Sequence, residues 1–274
     1  MIKNNNFNIV EDSKVSPVVY KADIDKNYIF GVGVTNATKD NILEYVMSNC
    51  QNFTKKLLVV TPNPEILMFS RRHNSFQKIL NAADLALCDG IGIYIAGKIL
   101  GKPFTERLTG TDFVKILCKE VAKKPITVGF LGGRGNVAEK AGDCLKRQFP
   151  GLDVAIAIAG NPDQDTVELL KNNKQKIDIL FVAFGFPKQE KWLAENISIL
   201  PIKVGICVGG ALDYISGNIT RAPYFVRFFG FEWLYRLIRE PWRYKRQFTL
   251  IQFVLLIFKE KFFPGKDRLL KDHP

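Results

Sequence analysis

The chain has 274 residues, of which 47% are hydrophobic, enough for one large α/β domain with an appendage or two small domains, and not typical of a disordered chain. The formal charge of +12 favours an anionic partner, which could be nucleic acid, a membrane surface or a phosphorylated substrate. Five widely spaced cysteines and two histidines argue against a disulfide framework, a zinc site or a His-based triad. With no signal peptide and no apolar run long enough to span a bilayer, we expect a cytoplasmic protein.

Short apolar strands alternate with helical segments along most of the chain. Residues 1–27 are polar and aperiodic and are interpreted as a loose leader. Seven strands are predicted after it: Tyr28–Val34, Leu57–Val60, Leu85–Cys88, Ile126–Leu131, Val154–Ile158, Ile179–Phe184 and Val204–Val208. This alternation predicts that residues 28–219 form an α/β core: a doubly wound, mainly parallel, Rossmann-like sheet with helices on both faces.

Polar residues and glycines follow several of these strands. They lie at the carboxyl edge of the predicted sheet, where ligands of such folds bind. Thr61 and Asn63 follow the second strand, and Asn63 also suits an ordinary helix cap. Asp89 and Gly90 follow the third strand, and a lone aspartate at a strand end is more often a cap than a catalyst. Because several such turns converge on one edge, the sequence indicates a binding site there.

A glycine-rich turn raises the alternative of a dinucleotide enzyme. Gly132 and Gly133 precede a helix N-terminus, which favours a phosphate, and Gly133, Gly135 and Ala138 fit a dinucleotide-binding pattern. The next strand, however, ends without the carboxylate that would hold a ribose. An NAD-dependent oxidoreductase is therefore a minor alternative.

The C-terminal segment is basic and aromatic. Residues 221–274 contain twelve Lys or Arg against five Asp or Glu, interleaved with Phe, Trp and Tyr. This pattern is typical of a helix at an anionic interface, so residues 220–274 are predicted to form a helical, membrane-associating appendage. We expect a peripheral protein on the inner face of the cell membrane. A nucleic-acid-binding protein is the alternative, but it would leave the polar turns of the core unexplained.

Seven sequence blocks occur in a fixed order over nearly the whole chain. They are T-P-N-P-E (61–65), A-D-x-x-x-x-D-G (83–90), E-R-L-T-G-T-D (106–112), F-L-G-G (130–133), F-G-x-P-K-Q-E (184–190), V-G-G-A-L-D (208–213), and R-A-P followed by F-E-W-L-Y-R-L-x-x-E-P-x-R (221–243). Together they resemble the WecG/TagA/CpsF family of bacterial glycosyltransferases. The resemblance implies sugar transfer from a UDP-sugar to a polyprenyl-diphosphate-linked acceptor in the synthesis of surface polysaccharide or teichoic acid.

The resemblance also implies roles for individual residues. Asp89 corresponds to the general base of an inverting transfer, and Thr61 and Asn63 would hold the sugar or the acceptor. The nucleotide and donor sugar would be surrounded by Arg107, Gly110, Asp112, Gly132, Gly133, Gln189, Gly209, Gly210 and Asp213. For the R-L-T-G (107–110) and V-G-G-x-x-D (208–213) segments, simple formation of a turn and a helix cap remains an alternative.

The leaving diphosphate requires positive charge. No D-x-D motif lies at a metal-binding turn, because Asp163 and Asp165 open a predicted helix, so we expect neither metal nor cofactor. The family's leaving-group arginines correspond best to Arg236, Arg243 and Arg246. The donor sugar, N-acetylmannosamine or a related hexose, and the oligomeric state, homo-oligomer included, stay open at this point.

Overall fold

The structure, a computed structural model, describes residues 24–239 and 244–263. Its first element is a hairpin of β1 (Asp25–Ile29) and β2 (Val32–Asn36), paired antiparallel and separate from the main sheet. The prediction of a single strand over Tyr28–Val34 is therefore wrong. Phe30 and Gly31 both have positive φ, 50° and 78°, which is the conformation of a two-residue hairpin turn.

The main sheet has six strands, and each pair of neighbouring strands in it is parallel. The strands are β3 (Leu57–Val60), β4 (Leu85–Ala86), β5 (Thr127–Gly132), β6 (Asp153–Ile158), β7 (Ile179–Ala183) and β8 (Val204–Cys207). Their order is β4-β3-β8-β7-β5-β6, so β7 and β8, the last two strands in the chain, lie between the β3–β4 pair and the β5–β6 pair. The predicted parallel α/β sheet is confirmed, and β3 begins and ends where the apolar run does.

Between residues 24 and 215, nine helices accompany the strands. They are α1 (Lys39–Gln51), α2 (Pro64–Ser70), α3 (Asn74–Ala82), α4 (Ile91–Leu100), α5 (Gly110–Val121), α6 (Val137–Gln148), α7 (Gln164–Lys171), α8 (Lys188–Asn196) and α9 (Ala211–Ile215). Alternate residues of β3 enter two cores: Leu57 and Val59 pack with α1, α5 and α6, and Leu58 and Val60 pack with α2, α3 and α4. This alternation places helices on both faces, as predicted.

Three helices follow: α10 (Tyr224–Phe228), α11 (Glu232–Arg239) and α12 (Tyr244–Phe262). α12 lies against α2 and α4, where Phe253 and Ile257 are each only 1% exposed. The Phe253 ring also meets Phe30 of the hairpin edge-on, with centroids 5.5 Å apart. The last helix is thus anchored on the α/β core through one apolar face. The predicted domain limits at residues 27 and 219 stay predictions.

Candidate active site

The carboxyl ends of β3, β4 and β8 meet at one edge of the sheet and bring Thr61, Asp89 and Gly209 into neighbouring turns. The buried Thr61 hydroxyl donates to the carbonyl oxygen of Cys207, the last residue of β8, at 3.1 Å. Gly110, at the start of α5, fits closely beside it, because a Cβ there would lie 3.4 Å from Thr61 Cγ2 and 3.5 Å from the Val208 oxygen. Thr61 and Gly110 therefore lie side by side in the structure, although they are 49 positions apart in the sequence.

Asp89 is half-buried in the crevice between these turns at the edge of the sheet. Its Oδ2 accepts a long hydrogen bond of 3.5 Å from the Gly110 backbone N–H. Burial raises the pKa of Asp89 from 3.8 to about 7, since its charged form loses water, and the negative charges of Glu232 and Asp112 act in the same direction. Arg107 and the Gly110 hydrogen bond oppose the shift. A carboxylate with a pKa near neutrality is suited to accept a proton at physiological pH.

An ionic cluster joins α5 to the C-terminal segment beside Asp89. Arg221 donates to both carboxylate oxygens of Asp112, at 2.6 and 2.9 Å, and its Nε donates to Glu232 Oε1 at 3.2 Å. Thr109 caps α5 and also donates to Asp112 Oδ2 at 2.7 Å. Burial works to raise the pKa of Asp112, but the bonds from Arg221 and Thr109 outweigh it and hold that pKa below its usual value.

Sequence reasoning missed Arg221 and Glu232 as site residues. Arg221 lies in the R-A-P block and Glu232 in the F-E-W block, but as single charges on a basic tail neither stood out. Arg107 extends the same junction, since its Nη2 donates to the backbone oxygen of Arg227 at 3.2 Å. Within the described residues, Asp112 and Arg107 thus contact the C-terminal segment. Their predicted roles in substrate binding stay predictions.

Gln189 supports the turn that follows β8. Its Oε1 accepts from the Gly209 backbone N–H at 3.0 Å, and its Nε2 donates to Glu190 Oε1 at 2.8 Å. Gly209 has φ +52°, and Gly210 precedes the first residue of α9. Because both ends of the buried Gln189 amide are engaged inside the protein, this side chain holds the 209–210 turn in place.

The other predicted residues have identifiable structural roles. Asn63 caps α2, its Oδ1 accepting from Ile66 N at 3.0 Å, and it remains half-exposed at the crevice. A Cβ on Gly132 would lie 2.7 Å from the Ala183 carbonyl carbon, so this glycine lets the ends of β5 and β7 approach. Gly133 N donates to the Ala183 oxygen at 3.0 Å, and Asp213 lies in the first turn of α9. The cap interpretation of Asn63 is confirmed, and the predicted roles of these residues in ligand binding stay predictions.

Metal ligands do not cluster in the described parts of the chain. No group of three or more His, Cys, Asp or Glu side chains there could hold a metal ion. Asp163 caps α7 by accepting from Thr166 N at 3.0 Å, which confirms its interpretation as a helix-terminal acid. That the enzyme needs no metal remains a prediction.

The C-terminal segment covers the turn that carries Asp89. Gly230, with φ +79°, lies against Ile91, the first residue of α4, and a Cβ there would come within 2.6 Å of an Ile91 side-chain carbon. Leu250 of α12 lies close to Gly92, at 3.8 Å from the place its Cβ would take. Of the predicted leaving-group arginines, Arg243 and the side chains of Arg236 and Arg246 lie outside the described residues.

We expect Gly230→Ala to lower about tenfold the sugar transfer that the family resemblance implies, because the methyl group would push the C-terminal segment away from Ile91. Gly217→Ala is a matched control: Gly217 has the same φ of +79°, with nothing within 4 Å of the added Cβ. Both variants carry the backbone strain of a positive φ, about 1 kcal/mol, and only the first carries the clash. Initial rates and melting temperatures measure the two effects. Equal losses of activity in both would contradict the close fit at Gly230.

Known proteins resemble this chain over most of its length. A family model described as "Glycosyl transferase WecG/TagA/CpsF family" matches residues 27–267. A protein of Bacillus spizizenii is 31% identical over 232 residues, covering 81% of this chain and 90% of its own length. Proteins of Bacillus subtilis and Staphylococcus aureus are 27% and 30% identical, covering 89% and 85% of this chain and 96% and 92% of their own lengths.

These three relatives share one name, N-acetylglucosaminyldiphosphoundecaprenol N-acetyl-beta-D-mannosaminyltransferase. The name describes transfer of an N-acetyl-β-D-mannosaminyl group to a lipid-diphosphate-linked N-acetylglucosamine. The oxidoreductase and nucleic-acid-binding alternatives find no support among them.

Proposed function

Since the chain belongs to the WecG/TagA/CpsF family of glycosyltransferases, we propose that it transfers N-acetylmannosamine from a UDP-sugar to a polyprenyl-diphosphate-linked N-acetylglucosamine. The observation that carries this proposal is Asp89, a carboxyl with a pKa near 7 in the crevice between the sheet edge and the C-terminal segment. The names of the relatives supply the sugar and the acceptor.

Asp89 acts as the general base. It takes the proton of the acceptor hydroxyl while that oxygen bonds to the anomeric carbon of the donor. The bond between the anomeric carbon and the diphosphate oxygen breaks on the opposite face, and UDP leaves with the bonding electrons. Formation of a β linkage from an α-linked nucleotide sugar requires inversion at the anomeric carbon. A single displacement gives this inversion, and it needs only one carboxylate base.

Thr61, Asn63 and Gly110 are the groups nearest to this reaction in our proposal. The Thr61 hydroxyl is oriented by the Cys207 carbonyl, and the Asn63 amide is oriented by its capping bond. Their hydroxyl oxygen and amide nitrogen can still bind sugar hydroxyl groups. The N-terminus of α5 at Gly110 adds the positive end of a helix dipole, which favours the ionised form of Asp89 once substrate is bound.

The leaving diphosphate is assigned to arginines of the C-terminal segment. Arg246 precedes Leu250 by one helical turn in α12, and Leu250 is close to Gly92, three residues after Asp89. This proximity supports a place for Arg246 near the crevice, with Arg243 and Arg236 preceding it. Guanidinium groups can bind a diphosphate bidentately and stabilise the charge that develops on it.

The enzyme acts at a membrane surface in this proposal. Thirteen of the eighteen large hydrophobic side chains that are exposed in the described residues lie between Phe225 and Phe263, a concentration that fits an anionic, lipid-covered interface. No helix in the described part of the chain is both long and apolar enough to cross a membrane. Attachment to the inner face would bring Asp89 to a lipid-linked acceptor.

The test is an assay of the full-length protein with a panel of UDP-sugars and a polyprenyl-diphosphate-linked N-acetylglucosamine acceptor, with and without EDTA. We expect UDP-N-acetylmannosamine to be the preferred donor and EDTA to leave the rate within about twofold, since fixed arginines replace a metal. Preference for another donor would contradict the assigned sugar. Loss of turnover in EDTA, restored by Mg²⁺ or Mn²⁺, would contradict the assignment of the diphosphate to arginines.

A further inference from the structure

A groove of about 330 Å³ lies between α2 and α12, outside the crevice that holds Asp89. It is lined by Met68, Arg71, Arg72, Gln252, Leu255 and Leu256. None of these residues belongs to the candidate active site, and the sequence blocks that carry the family resemblance do not include them. The groove therefore needs an explanation of its own.

The guanidinium groups of Arg71 and Arg72 lie at this groove, and both residues are exposed. Arg72 Nη2 donates to Gln252 Oε1 at 3.0 Å, and the Arg71 guanidinium lies over the Phe30 ring, 5.5 Å from its centroid. Among the described residues, no carboxylate oxygen lies within 4 Å of either group. Within the described residues, the contacts of these two charges are therefore with neutral groups, those of Gln252 and Phe30.

An apolar stripe runs along α12 beside this groove. Ile251, Leu255, Phe258 and Phe262 are 58%, 64%, 44% and 69% exposed. Their spacing of four, three and four residues places them on one side of the helix, whereas the buried Phe253 faces the core. The same helix therefore anchors on the protein through one face and presents the other to the surroundings.

We propose that the groove binds the phosphate of an anionic phospholipid while the apolar stripe of α12 enters the acyl region of the same bilayer. Charge complementarity carries this inference, because a lipid phosphate supplies a negative charge that no described residue places within 4 Å of Arg71 or Arg72, and the apolar stripe lies directly beside the groove, where the acyl chains would be. A second copy of the chain in a two-fold dimer would bring the same two arginines to the interface, where like charges repel. The inference rests on the proposed function only in placing the enzyme at a membrane.

Unlike a membrane attachment through the basic tail alone, this site uses two arginines of the α/β core. The bilayer would then contact a rigid unit made of α2 and α12. Since Asn63, the N-cap of α2, lies beside the crevice and α12 passes Gly92, binding at the groove would fix the height of Asp89 relative to the lipid surface.

The test compares Arg71→Gln/Arg72→Gln with Lys146→Gln/Arg147→Gln, which removes two exposed positive charges from α6. Flotation with vesicles of phosphatidylcholine, alone or with phosphatidylglycerol, measures binding by the full-length protein. We expect the first variant to bind the phosphatidylglycerol vesicles about 10- to 30-fold more weakly than the wild type, at about a factor of five per arginine. Its binding to pure phosphatidylcholine should be unchanged. Wild-type binding by this variant, or an equal loss in the α6 control, would overturn the site.

Two further measurements separate this inference from the proposed function. Transfer to a water-soluble, short-chain acceptor should be the same in Arg71→Gln/Arg72→Gln as in the wild type, and Asp89→Asn should bind vesicles normally while losing transfer. Loss of transfer to the soluble acceptor in the arginine variant would place the groove in the reaction and overturn its assignment to lipid. Sedimentation that shows a wild-type dimer, dissociated in the arginine variant, would also overturn it and assign the groove to a second copy.

Discussion

Asp89→Asn is expected to lower the rate of sugar transfer by about 10²- to 10⁴-fold, the contribution usually made by a positioned general base. An asparagine has nearly the shape of the aspartate and can still accept the hydrogen bond from Gly110, but it cannot take the proton of the acceptor hydroxyl. Binding of UDP-sugar should change little, which places the loss in kcat. A rate within a few-fold of wild type would remove Asp89 from the role of base.

The pH dependence of the wild type should report the same group. Because only the ionised carboxylate accepts a proton, the rate should rise with pH to a plateau, with its midpoint near the Asp89 pKa of about 7. A midpoint near 4 would show that the carboxyl is not perturbed in the working enzyme. Asp165→Asn, an exposed acid in the first turn of α7, is the control and should keep both the rate and the pH profile.

As the pH rises, the stability of the folded chain should fall while its activity rises. The folded chain binds a proton at Asp89 more tightly than the unfolded chain does, since burial raises this pKa from 3.8 to about 7. The free energy of unfolding therefore falls as the pH rises between these two values, and the penalty is complete above pH 7. Asp89→Asn carries no charge to desolvate, so its melting temperature should exceed that of the wild type at pH 8 and match it more closely at pH 5.

The positions of the strands could be predicted because a buried parallel strand is apolar on both faces. Leu57–Val60 and Val204–Cys207 are short apolar runs, and their ends fix the edge of the sheet where Thr61, Asp89 and Gly209 lie. The hairpin escaped prediction because Phe30 is an unusual residue for a left-handed turn, so the apolar alternation continues across it.

The ionic cluster escaped prediction for a different reason. Arg221 and Asp112 are 109 residues apart, and their contact depends on how α10 and α11 return to the N-terminus of α5. No local pattern carries that information. In the sequence, Asp89 lies in the core and the positive charge in the tail, whereas the structure places Arg221, Asp112 and Glu232 together at this junction, with both acids acting on Asp89.

Arg221→Gln is therefore expected to reduce transfer about 10-fold or more at pH 7, although Arg221 itself is assigned no contact with substrate. The change removes the cation that pairs with Asp112 and Glu232, and both carboxylates already raise the pKa of Asp89. Without Arg221 they should raise it further, because less positive charge then balances them, although Arg227 Nη1 still lies 4.0 Å from Asp112 Oδ1. The pH–rate profile should shift to higher pH, and much of the lost rate should return near pH 8.5.

This pH shift distinguishes a positioning residue from a merely structural one. A variant that only loosened the C-terminal segment would lose rate at every pH, whereas the loss of charge balance acts through the ionisation of Asp89. Arg221→Gln/Glu232→Gln also removes one of the two acids that raise the pKa of Asp89, so its profile should move back toward that of the wild type. Arg221→Lys keeps the positive charge without the bidentate geometry, so its pH–rate profile should lie between those of Arg221→Gln and the wild type. Arg147→Gln, which removes an exposed arginine of α6, should leave the profile unchanged, and an unshifted profile in Arg221→Gln would show that the cluster only holds the segment in place.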